Sequence, residues 1–466
     1  MSLIKSISGI RGTIGGRPGE NLTPNDLLAF LSAFARQLRQ KFPEIKKPAV
    51  VLGRDGRISG PLLHDFARSV LCLNGLNVLD AGLATTPTVE MAVIQEKAQG
   101  GLILSASHNP RQWNALKLLN NQGEFLSATE GQELIALSQA PEPLYPELDD
   151  LGVVKALPQA LDRHIEAILA LKLVDRAAIA KRNFKIVVDG INSVGAFAIP
   201  ALLKSLGLEQ VEIINAEVNG EFNHNPEPLD EYLGAIKEQV KTSGADLGIV
   251  VDPDVDRLAF IDERGVMFGE EYTLVAVADY VLRGYCPCFY QKISVSNLSS
   301  SRALKDVTEK KGGSYYAAAV GEVNVVAKMK EVGAVIGGEG NGGIIYPELH
   351  YGRDALVGAA LFLSALAQAE LSASAYRAQF PEYYMVKDRI DLKPGVDLVA
   401  LLNKVKGVYA GEEINDIDGV KIDWPDSWVH LRASNTEPII RVYAEAPALE
   451  QAQARVTEIK NIIIGA

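Results

Sequence analysis

Leu247-Gly-Ile-Val-Val-Asp252-Pro-Asp254-Val-Asp256-Arg257 opens as a short β-branched run and ends in a turn dense with carboxylates. Residues of that kind suit a buried strand. In open α/β sheets, ligands collect outside the carboxyl ends of the strands, where this turn would lie. Two other stretches read alike, Ala49-Val-Val-Leu-Gly-Arg-Asp-Gly56 and Lys185-Ile-Val-Val-Asp-Gly190. A three-fold internal repeat would produce this likeness, and so would the ordinary strands of any α/β protein. Amphipathic helical runs alternate with the strand-like ones, which predicts an α/β fold. The first helix is well marked. Thr23 can cap it, Pro24 fits its first position, and Leu27, Phe30, Leu31, Phe34 and Leu38 follow at helical spacing.

At 466 residues the chain is long enough for several domains with cores of their own. The formal net charge of −12 disfavours a nucleic-acid partner, because phosphate backbones select basic surfaces. An anionic small molecule would need a local cluster of Arg and Lys against this background. The 3 cysteines, Cys72, Cys286 and Cys288, make no disulfide framework and suit a reducing cytoplasm. The start of the chain shows no signal peptide, and the apolar run 355–367 is too short to span a bilayer. That run is predicted as a buried helix, and no membrane partner is expected. The proline-rich segment Ala140-Pro-Glu-Pro-Leu-Tyr-Pro146 is a candidate linker. A second boundary is expected near Pro381, followed by a small α+β unit from about Met385.

Four loops carry chemistry. In Leu104-Ser105-Ala106-Ser107-His108-Asn109-Pro110 an apolar strand delivers hydroxyls, an imidazole and an amide. It is no hydrolase elbow, and Ser107 and His108, being adjacent in sequence, are not naturally placed as a nucleophile and its base. A capped turn before a helix is the alternative. In the second loop, Asp252, Asp254 and Asp256 would repel one another unless a hard divalent cation took their oxygens. An EF-hand is excluded, since Arg257 stands where that loop needs glycine; a solvated acidic turn is the alternative.

The third loop is Gly337-Gly-Glu339-Gly-Asn341-Gly-Gly343. Its formal match to a dinucleotide-binding glycine pattern fails because Ile344-Ile-Tyr-Pro347 follows in place of a helix. Glycines let the backbone approach a ligand, and Glu339 and Asn341 could bond sugar hydroxyls. The fourth, Arg432-Ala-Ser434-Asn435-Thr436-Glu-Pro438 with Arg441 beyond, offers guanidiniums, hydroxyls and an amide that fit a phosphate. An ordinary hairpin turn is its alternative.

Taken together and in this order, the four loops resemble the α-D-phosphohexomutase family. The resemblance runs from Ser8-Gly-Ile-Arg-Gly12 to the Arg432 loop, nearly the whole chain. It implies three similar α/β domains and a smaller C-terminal α+β domain around a central cleft. The expected divisions are 1–150, 151–250, 251–375 and 376–466. It implies Ser107 as the phosphoserine. Asp252, Asp254 and Asp256 would be ligands of one Mg2+ whose shell a phosphoserine oxygen completes. Lys117 matches a proton-transfer lysine, able to deprotonate the sugar hydroxyl if nearby cations such as Arg257 lower its pKa, and Arg11 and Arg257 match active-site and phosphate contacts beside His108. Glu339 and Asn341 would meet the sugar. Arg432, Ser434, Asn435, Thr436 and Arg441 would hold the phosphate that does not react.

The chain departs from the family where Pro253 and Val255 replace usual glycines, where Ala115 and Trp113 replace a common glycine and tyrosine, and where Asn341 and Gly343 stand in place of Ser and His. The Gly-Glu-Gly-Asn-Gly-Gly form resembles the phosphoglucosamine mutase branch. The implied reaction interconverts hexose 6-phosphate and hexose 1-phosphate through a 1,6-bisphosphate, which would also serve as activator. Glucosamine phosphate is slightly favoured over glucose and mannose phosphate, and the protein is expected in the cytoplasm as monomer or homodimer. A sugar-phosphate phosphatase and a non-catalytic sugar-phosphate binder are the alternatives.

Overall fold

The computed structural model describes residues 2–6, 9–140, 145–284, 291–392, 397–433 and 439–464. Three of its sheets repeat one topology. The second is built from Ile186–Asp189, Val211–Ile214, Leu247–Val251 and Leu258–Asp262. Numbered in chain order, these lie 4-3-1-2: Leu247–Val251 and Val211–Ile214 run parallel to Ile186–Asp189, and Leu258–Asp262 returns antiparallel to Leu247–Val251. Ile293–Asn297, Ser314–Ala318, Ile336–Glu339 and Gly343–Ile345 form the third sheet in the same order. The first sheet contains it too, as Ala49–Arg54, Asn77–Leu83, Gly100–Leu104 and Trp113–Leu119. That sheet is extended at one edge by Gly9–Thr13 and Ile4–Ser6, and at the other by Val154–Ala156.

The internal repeat is therefore real, but its copies are not the ones the sequence suggested. Ala49–Arg54 and Ile186–Asp189 are equivalent first strands. Leu247–Val251 is the third strand of the second sheet and pairs directly with Ile186–Asp189. Local composition cannot tell a first strand from a third, because both are central and buried on two faces.

The fourth sheet is wholly antiparallel, in the order Tyr384–Asp391, Ile439–Ala446, Trp428–Ala433, Val420–Asp423, Glu413–Asn415. It packs on helices Leu398–Val408 and Leu449–Ile464 around its own core, including Ile422, Leu431, Val442 and Ile459. The second and third units share one core instead. Helix Ala355–Ala369, buried along nearly its whole length, joins them, with Phe362 stacked on Phe260 at 3.8 Å between ring centroids. An all-round apolar helix belongs in such a place.

The expected divisions shift accordingly. The first sheet reaches past 150 to Ala156. The division at 250 falls inside a hydrogen-bonded hairpin. That at 375 cuts helix Ala373–Arg377, whose Tyr376 is buried in the shared core. In each case backbone pairing or side-chain burial decides, and neither leaves a mark in composition.

Candidate active site

Each repeated unit ends in an antiparallel hairpin, and each hairpin loop holds one of the predicted sets. The Ser107 loop lies between Gly100–Leu104 and Trp113–Leu119, the aspartate loop between Leu247–Val251 and Leu258–Asp262, and the glycine loop between Ile336–Glu339 and Gly343–Ile345. The helix that a dinucleotide site requires does not open after Gly343.

Ser107 sits at φ +48, a left-handed conformation uncommon for any residue but glycine. Its N–H donates to Ser105 Oγ at 2.9 Å. Its hydroxyl donates to Asp252 Oδ2 at 2.5 Å and lies 3.3 Å from His108 Nδ1. Neighbours in sequence thus do approach one another, because the left-handed turn folds the imidazole back. Beneath the loop, buried Arg57 gives its fork to the carbonyls of Ser107 (2.5 Å), Asn109 (2.6 Å), Pro110 and Trp113 (both 2.9 Å). Its Nε pairs with Asp55 at 3.1 Å. Asp55 lies in, and Arg57 just beyond, a stretch whose strand was legible and whose support of the serine loop was not.

Asp252 Oδ1 accepts the N–H groups of Asp256 (3.1 Å) and Arg257 (3.0 Å). Asp254 Oδ2 accepts Thr86 Oγ1 at 2.5 Å and Lys117 Nζ at 2.6 Å. Asp256 Oδ2 accepts Lys117 Nζ at 3.1 Å and Arg353 at 2.8 Å. The carboxylate oxygens of the three lie within 4.8 Å of one another. Asp254 Oδ1 and Asp256 Oδ1 are buried with no hydrogen-bond partner among the described residues. Such an orphaned acceptor is costly unless something fills its lone pairs, and a hard cation with oxygen ligands fits these donors. Burial, with Asp256 and Asp254 beside it, pushes the Asp252 carboxyl well up. Burial works the same way on Asp256, but Arg353, Lys117 and Arg257 outweigh it and hold that carboxyl far down.

Val255, between Asp254 and Asp256, takes φ +63 with a buried β-branched side chain. The glycine usual there in the family is thus absent although the backbone conformation that favours glycine is kept. Ser193 clamps the turn, accepting Gly56 N–H at 2.9 Å and donating to the Pro253 carbonyl at 2.5 Å.

Cations converge on this loop despite the acidic chain. Burial, then Arg257 and Arg353, lower the Arg11 pKa. His108 is pushed well down by burial and then Arg257, which keeps its imidazole neutral. Arg257 pairs with Glu227 at 3.0 Å and keeps its buried Nε without a partner among the described residues. Lys117 departs from expectation. A neighbouring arginine was expected to lower its pKa; burial does lower it, but Asp254 and Asp256 prevail and the pKa is raised.

Glu339 is buried and engaged at both oxygens: Oε1 accepts Asn297 Nδ2 (2.8 Å) and Gly321 N–H (3.1 Å), and Oε2 accepts Arg353 at 3.0 Å. Asn341 Oδ1 accepts Gly343 N–H at 3.2 Å, turning the loop on itself. Arg353, which sequence reasoning missed, bridges Glu339, Glu322 and Asp256. It also explains Gly343, since a Cβ there would meet Arg353 Cδ at 2.3 Å. The space of the missing histidine is occupied by an arginine ten positions on. No spacing rule connects the two positions, so only the fold could reveal the exchange.

Arg432, on Trp428–Ala433, pairs with Asp418 at 2.8 Å. Asp418 also accepts Val320 N–H at 3.0 Å, and the next residue, Gly321, donates to Glu339. The fourth unit thereby meets the glycine loop. Arg441 stands opposite Arg432 in the neighbouring strand, with Arg389 opposite it on the other side. Ser434, Asn435 and Thr436 lie outside the described residues.

The repeated sheets, the hairpin loops and the cation-ringed aspartates define a phosphate-handling α/β enzyme in four units. The chain belongs to the phosphoglucomutase/phosphomannomutase family: residues 3–143 match its alpha/beta/alpha domain I, 162–265 domain II, 270–384 domain III and 386–462 its C-terminal domain. It is 36% identical over 449 residues to a phosphoglucomutase/phosphomannomutase of Thermococcus kodakarensis, covering 95% of each chain. It is 32% identical to a phosphoglucosamine/phosphogalactosamine mutase of Sulfurisphaera tokodaii over 100% of both. The crystal structure of a phosphoglucomutase/phosphomannomutase family protein from Burkholderia thailandensis superposes with a TM-score of 0.81 at 25% identity, over 98% of each chain. The protein is a hexose phosphate mutase, an intramolecular phosphotransferase of the isomerase class.

Proposed function

We propose that the enzyme interconverts hexose 6-phosphate and hexose 1-phosphate through a phosphorylated Ser107 and a hexose 1,6-bisphosphate. The observation that carries this reading is the Ser107 hydroxyl held 2.5 Å from Asp252, inside a cluster of buried aspartates with unfilled oxygens. Asp252, Asp254 and Asp256 would hold a Mg2+ together with a phosphoserine oxygen. The ion supplies charge neutralisation of the phosphoserine and of the serine oxygen as the phosphoryl group leaves.

The residues do the rest by positioning and electrostatics, which is most of what phosphoryl transfer asks of a protein. The P–Oγ bond of Ser107 breaks as a bond forms from phosphorus to a sugar hydroxyl oxygen, whose proton passes to Lys117. Lys117's hold on its own proton rests on Asp254 and Asp256, the same carboxylates proposed as ligands. Were those carboxylates to hold a cation, Lys117 would lose their pull, release its own proton to solvent and stand neutral, able to take the hydroxyl proton. Neutral His108 stays in reach of Oγ, and Arg11 and Arg257 balance charge on the transferring group. Glu339 and Asn341 would contact the sugar, and the Arg432–Thr436 loop with Arg441 would hold the idle phosphate. The bisphosphate turns over in the cleft and returns its other phosphate to Ser107.

Glucosamine phosphate is the proposed preferred sugar, on the form of the Glu339–Asn341 loop and its likeness to a relative named for amino sugars. The relative named for glucose and mannose phosphates makes breadth the competing outcome. The test is kcat/KM for the 1-phosphates of glucosamine, N-acetylglucosamine, glucose and mannose, with and without the matching 1,6-bisphosphate, while free phosphate is followed. A dephosphorylated preparation should be nearly silent until the bisphosphate is added. Stoichiometric free phosphate with no bisphosphate activation would show a phosphatase and sink the reading.

A further inference from the structure

A second cluster of side chains of metal-ligating type lies where the first three units meet. His164 comes from helix Ala160–Leu169, Asp354 caps helix Ala355–Ala369, and His350 precedes that cap by one helical turn's worth of chain. The ligand atoms of the three lie within 4.8 Å of one another and all three side chains are buried. His164 Nε2 is 2.9 Å and His350 Nε2 3.3 Å from the same oxygen, Asp354 Oδ2. A tetrahedral ion about 2.0–2.2 Å from each donor spaces its donors by roughly 3.3–3.6 Å, so the 3.3 Å pair fits and the 2.9 Å pair must open by a few tenths of an ångström.

The surroundings are those of a ligand site. The other nitrogen of His164 bonds Thr88 Oγ1 at 3.1 Å. The other nitrogen of His350 faces Glu90 Oε2 at 3.4 Å. A carboxylate behind a histidine fixes the tautomer that leaves Nε2 free for a metal. Asp354 is held by its Oδ1, which accepts Leu356 and Val357 N–H, so its Oδ2 faces only the two imidazoles, whose hydrogen bonds to it an ion would replace. Glu90 supplies an independent sign. Its side chain is 0% exposed, and neither of its oxygens, nor His350 Nδ1, has a hydrogen-bond partner among the described residues. The chain also leaves room for it: a Cβ at Gly352 would meet Glu90 Oε2 at 2.0 Å and His350 Cε1 at 2.9 Å.

We propose that His164 Nε2, His350 Nε2 and Asp354 Oδ2 bind an imidazole-preferring divalent transition-metal ion of the Zn2+ kind, with Glu90 and Thr88 orienting the two histidines. Two imidazoles and one carboxylate select such an ion over Mg2+, which prefers all-oxygen shells. The ion staples the three units. Glu90 lies on helix Thr86–Glu96, whose Thr86 bonds Asp254, and Asp354 follows Arg353, which reaches Asp256 and Glu339. Binding at this site is therefore folding stability for the frame of the catalytic loops.

The test uses the whole chain. Metal content is measured on the protein as purified, because a buried ion can be trapped during folding. The protein is then stripped with chelator, placed in a large excess of Mg2+ to occupy the aspartate loop, and titrated with Co2+. A single further equivalent should bind, give the ligand-field absorption of a nitrogen-ligated ion, be displaced by Zn2+, and raise the thermal midpoint. Asp254→Asn should keep that equivalent, and His350→Gln and His164→Gln should lose it. Glu90→Gln leaves every ligand in place and should weaken binding by about 10- to 100-fold. The wild type alone decides if the histidine variants misfold: no transition metal as purified and no uptake under Mg2+ overturns the proposal. Uptake abolished by Asp254→Asn and unaffected by His350→Gln overturns it as well.

Discussion

The hairpins Gly100–Leu104/Trp113–Leu119 and Leu247–Val251/Leu258–Asp262 occupy the same place in sheets of the same strand order. Both loops hold a residue other than glycine in the left-handed region, Ser107 and Val255. One delivers a hydroxyl on a turn whose carbonyls Arg57 braces from below; the other delivers three carboxylates, of which Asp252 accepts from that hydroxyl. A sheet end fixes where a loop stands, and the loop's residues then decide its chemistry. The third hairpin repeats the lesson with glycines, and with Arg353 in the space that Gly343 leaves open.

The comparison predicts unequal losses. Ser107→Ala removes the only proposed covalent carrier and should cut turnover by roughly 10⁴-fold or more, the scale for loss of a nucleophile. Asp254→Asn keeps the carrier and should cost about 10²–10³-fold, with a raised Mg2+ requirement, as for loss of one electrostatic stabiliser. Thermal melts should find both folded, and intact-mass measurement should find phosphate on part of the wild type and none on the alanine variant. Equal losses at the two loops would mean that the division of labour is wrong.

Arg57 sharpens the first half of the comparison. Lysine keeps its charge and loses the planar fork that gathers the carbonyls of the serine loop. Arg57→Lys should therefore lower kcat by about 10²-fold through misplacement of Ser107, while KM changes little. A variant with unaltered kcat would show that the loop holds its shape without the fork.

The third hairpin is probed by placing at position 343 the histidine that the family resemblance leads one to expect. Gly343→His must displace Arg353 Cδ, whose guanidinium is pinned by Asp256, Glu322 and Glu339. Overpacking should destabilise the protein by about 1–3 kcal/mol. Combined with Arg353→Ala the two costs should fall short of their sum by roughly 1 kcal/mol or more, which a denaturation cycle measures. Strict additivity would show that the residues do not share the space.

The smallest effect belongs to Val255. Glycine there relieves left-handed strain of about 1–3 kcal/mol and gives up burial of about 1.5–3 kcal/mol. The two nearly cancel, so Val255→Gly should change unfolding stability by less than about 1 kcal/mol. Val250→Gly, in the strand just before it with no such strain to relieve, should cost about 2–5 kcal/mol. Similar losses at both positions would remove strain from the account of the loop.

What the sequence by itself determined is local: that strands end in polar turns, that Asp252, Asp254 and Asp256 need a countercharge, that Gly337–Gly343 opens no helix, and that 355–367 is a buried helix. These follow from periodicity, like-charge repulsion and backbone freedom, all of which act over a few residues. The tertiary structure alone decided which strand runs are equivalent, because a first and a third strand have the same burial. It alone placed Arg57 beneath Ser107 and Arg353 in the gap at Gly343, contacts between residues whose spacing follows no helical or strand period. It reversed the expected pKa of Lys117, since the balance between burial and the pull of Asp254 and Asp256 depends on distances that side chains acquire only on packing. And it gathered His164, His350, Asp354 and Glu90 from three units into one buried cluster, where the chain shows only scattered polar residues in apolar surroundings.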